Sequence, residues 1–286
     1  MRVIDLINVA SEHLKEKGFD NSRLEVEQML GSVLNLSRIN LYMEFERPLT
    51  EQELEQFRGL CRRRLAHEPL QYIIGSTGFR EVEIKTARRV FIPRPETEVL
   101  VQIAIDFLSK RTNPFIADLG TGSGAIAISI VYELPGAQAV AVDLSDDALS
   151  LTERNARMAG VEKSITLVYG DMLDALKDRG PFDAILSNPP YVETHDIESL
   201  QPEVRDYEPK IALDGGREGL KYLKSLALNA HRFLKFGGLL LLECEGEQAE
   251  KLQIELVATG CYTEIEIVKD LTGKNRVVKA LLKDLP

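Results

Sequence analysis

The sequence predicts an α/β fold: a mostly parallel sheet covered by helices and ending in an antiparallel hairpin, with a small helical bundle ahead of it. Three observations carry this. Apolar spacing is helical from residue 1 to about 75. From residue 98 onward helix-like and strand-like segments alternate. The last two strand-like segments are separated only by Lys269–Asn275, too short for a helical crossover. A length of 286 residues suits this division, at about 150 residues per domain.

The bundle reads as three apolar sets: Leu6/Ile7/Ala10/Leu14, Leu24/Val26/Met29/Leu30/Val33/Leu34 and Leu49/Leu54/Phe57/Leu60/Leu65. Gly18 ends the first helix, Asn21 or Ser22 starts the second, and Thr50 with Glu53 forms a capping box for the third. Two β-prone stretches follow, Phe79/Val82/Ile84 and Val90/Phe91/Ile92, and predict a linking hairpin. Expected boundaries are 1–75 for the bundle, 76–97 for the hairpin linker and 98–286 for the α/β domain. Within the last, strands are expected at Phe115–Leu119, Ala139–Asp143, Ile165–Tyr169, Phe182–Ser187, Leu239–Glu243, Tyr262–Val268 and Arg276–Leu282. Helices are expected at Glu98–Ser109, Gly124–Glu133, Asp146–Ala159, Gly219–Leu234 and Gln248–Thr259. Residues 192–218 are the longest aperiodic stretch, which predicts a functional flap.

Composition narrows the function classes. Residues 1–80 hold 11 basic and 12 acidic residues and the remainder 24 and 33, so -9 of the net charge of -10 belongs to the C-terminal part, which disfavours a grip on bare duplex phosphate. Arg58, Arg62, Arg63 and Arg64, with Arg80, Arg88 and Arg89, read either as a basic surface for a protein partner or as a solvated helix face. Cys61, Cys244 and Cys261 form no Cys-x-x-Cys pair, and the four histidines lack ligand or triad spacing, so no metal site is expected. The cysteines read as buried thiols in a reducing compartment. The start of the chain has no signal-peptide layout and no apolar run approaches the ~20 residues of a membrane span. The expectation is a cytoplasmic protein with no membrane span.

The chemistry lies at strand ends. Asp118-Leu119-Gly120-Thr121-Gly122-Ser123-Gly124-Ala125 joins the first strand of the domain to its first helix, where glycines let backbone approach a nucleotide-like ligand. Alone it also fits a relaxed NAD pattern. Asp143 ends the next strand, where a carboxylate accepts hydrogen bonds from ribose hydroxyls, although such a residue is often only a helix cap. Asn188-Pro189-Pro190-Tyr191 follows the strand Phe182–Ser187. Two prolines stiffen it; the Asn188 side-chain oxygen and the Pro189 carbonyl can each accept a hydrogen from one planar NH2, and Tyr191 offers a ring to pack on it.

Together these features resemble the class I S-adenosylmethionine (SAM) methyltransferases. A narrower resemblance follows from Phe91-Ile92-Pro93-Arg94-Pro95-Glu96-Thr97-Glu98, Glu68-Pro69-Leu70-Gln71-Tyr72-Ile73-Ile74-Gly75 and Asp270-Leu271-Thr272-Gly273-Lys274-Asn275-Arg276. Their identity and order, over essentially the whole chain, are similar to the PrmC/HemK family of release factor glutamine methyltransferases.

That resemblance implies a Rossmann-like class I methyltransferase sheet, a helical substrate-recognition domain, and methyl transfer from SAM, with S-adenosylhomocysteine as product. The acceptor it implies is the side-chain amide nitrogen of the glutamine in the Gly-Gly-Gln loop of class 1 peptide chain release factors. Asp118, Gly120, Thr121, Gly122, Ser123, Gly124, Asp143, Asp171, Met172 and Asn188 are then the cofactor-binding residues. Asn188, Pro189 and Tyr191 are the catalytic set, and Phe91, Arg94 and Asn188 through Tyr191 the substrate-binding set, with Arg94 equally readable as a tether. The chain departs from the family at Glu245, where a small residue is usual. Competing readings are an adenine-N6 methyltransferase, which calls for a basic groove; a noncatalytic SAM-binding scaffold, which calls for a damaged motif; and an NAD-dependent dehydrogenase, for which no hydride-transfer acid is evident.

Overall fold

The computed structural model describes residues 1–284. The chain divides into two compact units, Met1–Ser76 with Pro202–Tyr207, and Thr77–Gln201 with Glu208 onward.

The first unit is built from α1 (Val3–Glu16), α2 (Ser22–Leu34), α3 (Arg38–Met43), α4 (Glu51–Leu65) and α5 (Leu70–Ile74). Val3, Ile7 and Leu14 of α1, Val26, Met29 and Leu30 of α2 and Leu54 and Phe57 of α4 form one core, as three- and four-residue spacing requires. At the start of α4 the Thr50 hydroxyl accepts from the Glu53 N–H (3.2 Å) and the Glu53 carboxylate accepts from the Thr50 N–H (2.8 Å), closing the capping box. Helices α3 and α5 have six and five residues, too short to display a period in sequence.

The arginine run is not an unpaired basic surface. Successive residues on a helix point about 100° apart, so the side chains diverge and find separate acids. Arg58 and Arg62 share Glu55 (3.4 and 3.0 Å), and Arg63 chelates Glu68 (2.8 and 2.7 Å). Arg64 is buried over the Phe19 ring, between Glu25 (2.6 Å) and Glu203 (2.9 Å) of the short helix Pro202–Tyr207. In the second unit Arg80 is bidentate on Glu133 (2.6 and 2.7 Å).

The second unit opens with a two-stranded hairpin, β1 (Ser76–Phe79) and β2 (Val82–Lys85), turning at Arg80 with φ +50°. The expected second arm, Val90–Ile92, forms no strand. Val90 and Ile92 are apolar because they are buried, a cause that periodicity does not separate from strand pairing in so short a run.

Then come α6 (Thr97–Leu108), β3 (Phe115–Leu119), α7 (Ala125–Glu133), β4 (Gln138–Asp143), α8 (Asp146–Met158), β5 (Ile165–Tyr169) and β6 (Phe182–Ser187). Helix Pro202–Tyr207 is α9, followed by α10 (Lys221–Asn229), β7 (Leu234–Glu243), α11 (Gln248–Thr259), β8 (Tyr262–Lys269) and β9 (Asn275–Leu282). The main sheet runs β5-β4-β3-β6-β7-β9-β8, with β5 through β7 parallel and β9 antiparallel to both neighbours.

Alternate residues of the strands face opposite layers: Leu119, Val142, Leu240 and Leu242 pack with α10 and α11, while Ile116, Ala141, Leu186 and Leu241 pack with α6 and α7. All six residues of β6 are buried, as befits a central parallel strand.

The helix expected to reach Leu234 stops at Asn229, and β7 starts five residues before Leu239. Between the pairs Phe182–Leu234 and Ala184–Leu239 the register slips, and Gly237 and Gly238 occupy the slip. A side chain on Gly238 would meet the Lys235 carbonyl at 2.6 Å. Residues 192–218 hold α9 and short turns, and their ends are joined: the Val192 N–H donates to Leu213 O and the Gly215 N–H to Val192 O. Of the cysteines only Cys244 is buried; Cys61 and Cys261 are half-buried. Among the described residues no helix is long and apolar enough to cross a membrane.

Candidate active site

Chain order sends β4 and β5 to one side of β3 and β6 and β7 to the other, so a switch point opens at the carboxyl end of β3. Register places the residues there. Leu119 pairs with Val142 and with Ser187, Asp143 with Tyr169, and Ser187 with Leu242. The next residues along these strands, Gly120, Asn188 and Glu243, are therefore neighbours at one edge, with Asp143 beside them.

The glycine loop is held from below and behind. Asp118 is fully buried; its Oδ2 accepts from the Thr121 hydroxyl (2.6 Å) and the Ala127 N–H (3.2 Å), while Oδ1 has no partner among the described residues. Burial pushes its carboxyl up to about 6. The Gly120 and Thr121 N–H groups both donate to Val142 O at 2.9 Å. From α8, Thr152 donates to Gly122 O (3.0 Å) and Asn155 to Ser123 O (2.8 Å). Gly122 takes φ +59° with open space where a side chain would stand, whereas Gly124 at φ +83° has Thr152 Cγ2 only 2.7 Å from the position of a Cβ. Gly122 serves approach to the cavity; Gly124 lets α7 and α8 pack.

Asp143 accepts from the Gly122 N–H through Oδ2 (2.8 Å) and from the Ser145 N–H through Oδ1 (3.0 Å). Each oxygen keeps a second lone pair for a ligand. Burial raises its pKa, and the backbone donors pull it back. The helix after it is capped by Ser145, whose hydroxyl accepts from the Ala148 N–H (3.3 Å).

One cavity collects these groups. Gly120, Thr121, Gly122, Ser123, Asp143, Asp171 and Met172 line it together with Asn188, Pro189, Pro190, Tyr191, Phe91 and Pro93. Asp118, Gly124 and Arg94, expected as ligand-binding residues, are not part of that lining. For Arg94 the reason is electrostatic. Its guanidinium stacks on Phe91 (4.6 Å), donates to Ile92 O (3.0 Å) and closes a tight ion pair with Glu208, which is only 5% exposed and needs a counter-charge.

Asn188 donates from Nδ2 to the Thr97 hydroxyl oxygen at 3.2 Å. Tyr191 donates to Glu243 Oε1 at 3.4 Å, and its carbonyl accepts from Gln248 Nε2 at 2.8 Å, so the segment carrying Glu245 is tied to the motif. Glu243 is 1% exposed, and burial pushes it up to about 7, against the opposing pull of Thr97, Arg276 and Tyr191. Its Oε2 closes no hydrogen bond of normal geometry among the described residues, although the Thr97 hydroxyl is near enough to favour its charged form.

Thr97, Glu208 and Glu243 were not expected as site residues, although Thr97 lies in one of the motifs that carry the resemblance. The rule that singled out Asp143, a polar residue at the carboxyl end of a parallel strand, also applies to Glu243. Glu208 has no local signal, being 114 residues from its partner. Glu193, His195 and Asp196 cluster at the surface; none of them lines the cavity.

Comparison with known proteins identifies the family. The PrmC N-terminal domain model matches residues 5–75, and the methyltransferase small domain model matches residues 83–203. The release factor glutamine methyltransferase of Geobacter sulfurreducens is 42% identical over 272 residues, 93% of this chain and 92% of that protein. That of Chlorobaculum tepidum is 40% identical over 282 residues, covering 96% and 95%. A methyltransferase structure from Pyrococcus furiosus superposes with a TM-score of 0.53 at 15% identity, over 81% of this chain and 99% of that one, and bears on the fold alone. Full-length similarity at this level, on a class I methyltransferase sheet with its polar loops at the switch point, makes this chain a methyltransferase of the release factor glutamine methyltransferase family.

Proposed function

We propose that this chain transfers a methyl group from SAM to the side-chain amide nitrogen (N5) of a glutamine, that of the Gly-Gly-Gln motif in class 1 peptide chain release factors, and so modulates translation termination. The observation that carries the reading is the meeting of the glycine loop, Asp143 and Asn188 through Tyr191 in one cavity at the sheet's switch point. The names of the full-length relatives support the acceptor. On this reading residues 1–75 recognise the substrate, 76–97 link, and 98–286 hold the methyltransferase site.

The lining suits SAM on structural grounds. Asp143 presents a carboxylate whose oxygens are already fixed by backbone N–H groups and retain lone pairs for ribose hydroxyls. Ile126, Leu144 and Met172 line the same cavity and offer apolar surface to a base. SAM supplies a methyl made electrophilic by its sulfonium.

What the protein must add is position and polarisation. A carboxamide nitrogen is a weak nucleophile because its lone pair is delocalised into the carbonyl. Asn188 Oδ1 and the Pro189 carbonyl accept one hydrogen each from the substrate NH2, hold the nitrogen in line and favour the positive charge that grows on it. Tyr191 packs against the amide plane. As the new N–C bond forms, the donor's S–CH3 bond breaks with its electron pair left on sulfur, giving S-adenosylhomocysteine, and the nitrogen's surplus proton passes to water. Positioning supplies about 7–11 kcal/mol in favourable cases and a preorganised polar contact about 3–4 kcal/mol, which is adequate without a strong base.

Incubation with methyl-labelled SAM and either a release factor or its glutamine-to-alanine variant tests the assignment. Label in the unaltered factor only is expected; label in both, or in neither, contradicts it.

A further inference from the structure

One hydroxyl on the cavity wall, that of Thr97, lies beside the Asn188 carboxamide. Thr97 is the first residue of α6, 3% exposed, and it lines the same wall as Asn188. An Asn carboxamide presents two ends of nearly equal size, and only one suits an acceptor amide: Oδ1 must face the substrate, because Nδ2 would set donor against donor. Something has to choose the end.

A hydroxyl can bond either end, so Thr97 chooses only if its own proton is committed elsewhere. The group placed to take it is Glu243, which in its ionised form is acceptor-only and whose Oε2 has no other partner among the described residues. Its Oε1 already receives Tyr191 (3.4 Å), and the Thr97 hydroxyl favours its charged form. With its proton turned towards Glu243, Thr97 offers a lone pair to Asn188 Nδ2, the 3.2 Å contact observed. Asn188 Oδ1 takes no bond from the described residues and is left for the substrate.

We infer that Thr97, itself oriented by Glu243, is a positioning residue for methyl transfer: it fixes the rotation of the Asn188 carboxamide so that the oxygen faces the acceptor nitrogen. The inference rests on the amide-clamp reading above and extends it. Thr97 touches neither cofactor nor acceptor in this role; its effect runs through Asn188.

Two variants separate the hydroxyl from mere packing. Thr97→Val keeps the branched shape and removes the oxygen, whereas Thr97→Ser keeps the oxygen. SAM affinity, thermal unfolding and steady-state kinetics on a release factor are measured for both, with Asn188→Ala and the Thr97→Val/Asn188→Ala double variant alongside. Misplacement on this scale costs up to about 100-fold in rate. The expected result is that Thr97→Val lowers kcat by about 10- to 100-fold with SAM affinity within about twofold of the unaltered enzyme, and that Thr97→Ser recovers most of the loss. The double variant should be no slower than Asn188→Ala, because the two residues act as one unit. Unchanged kcat in Thr97→Val, or equal losses in the Ser and Val variants, overturns the inference while leaving the clamp intact provided Asn188→Ala is still inactive. Retained activity in Asn188→Ala overturns the clamp and this inference with it.

Discussion

Arg94 and Glu208 close an ion pair that ties the segment carrying Phe91 and Pro93 to the segment that continues through Pro209 and Ile211, and Phe91, Pro93, Pro209 and Ile211 line one cavity. The acid is buried and also accepts from the Ile92 N–H at 3.4 Å; burial raises its pKa and Arg94 opposes the rise. The pair therefore sets the spacing of two cavity walls that are far apart in sequence.

Removing one partner strands the other. Arg94→Met is expected to destabilise the fold by about 3–5 kcal/mol, the usual cost of leaving a buried charge without its partner, and Arg94→Met/Glu208→Leu to recover most of it. Urea unfolding of the three proteins decides the point; equal stability of Arg94→Met and the unaltered chain would mean the pair is only ornamental.

Gly122 and Gly124 make different demands. Both have positive φ, so alanine at either carries the left-handed penalty of about 1–2 kcal/mol, but only at Gly124 does the new methyl collide, 2.7 Å from Thr152 Cγ2 and 2.8 Å from Ile128 Cδ1. Overpacking typically adds about 1–3 kcal/mol. Gly124→Ala should thus lower the unfolding midpoint clearly more than Gly122→Ala, while Gly122→Ala should weaken SAM binding. Titration calorimetry with thermal unfolding separates the two effects, and a reversed order would contradict the packing role given to Gly124.

Much of this was legible in the sequence, because each cue was local and physically forced. The glycine loop announces a sharp turn, the double proline a stiff strand exit, and the short Lys269–Asn275 link an antiparallel close, which β8 and β9 make. The illegible parts depend on pairing across the chain. Nothing near Arg94 signals Glu208, and nothing near Glu25 or Glu203 signals that they would hold Arg64 of α4. Val90 and Ile92 misled because burial and strand pairing select the same residues.

Glu243 predicts a pH dependence of stability. Burial moves its carboxyl from an ordinary 4.5 to about 7 in the folded state. Below the lower value both states hold the proton. As pH rises through the window from 4.5 to about 7 the unfolded chain ionises first, so stability falls, and it levels off above the folded value. At 1.36 kcal/mol per pH unit the loss amounts to about 3 kcal/mol. Asp118, moved up to about 6, adds a loss of the same sign. Glu243→Gln removes its own share, so the variant should gain on the unaltered protein as pH rises from 4.5 to about 7. A difference between the two that stays constant with pH would contradict the buried, raised carboxyl.

Asp143 provides a test of the cofactor end of the cavity. Asp143→Ala removes the acceptors of the Gly122 and Ser145 N–H groups as well as the carboxylate offered to ribose. SAM affinity is expected to fall at least tenfold, in keeping with about 1.5–3 kcal/mol for hydrogen bonds to a charged group. Unchanged affinity by calorimetry would place the nucleoside elsewhere.

The central claim is a geometry, and a crystal structure with S-adenosylhomocysteine and a peptide containing Gly-Gly-Gln measures it most directly. The glutamine side-chain nitrogen is expected within hydrogen-bond distance of both Asn188 Oδ1 and the Pro189 carbonyl, on the side facing the cofactor sulfur. A glutamine amide bound out of reach of those two oxygens, or an Asn188 carboxamide turned with its nitrogen towards the peptide, would contradict it.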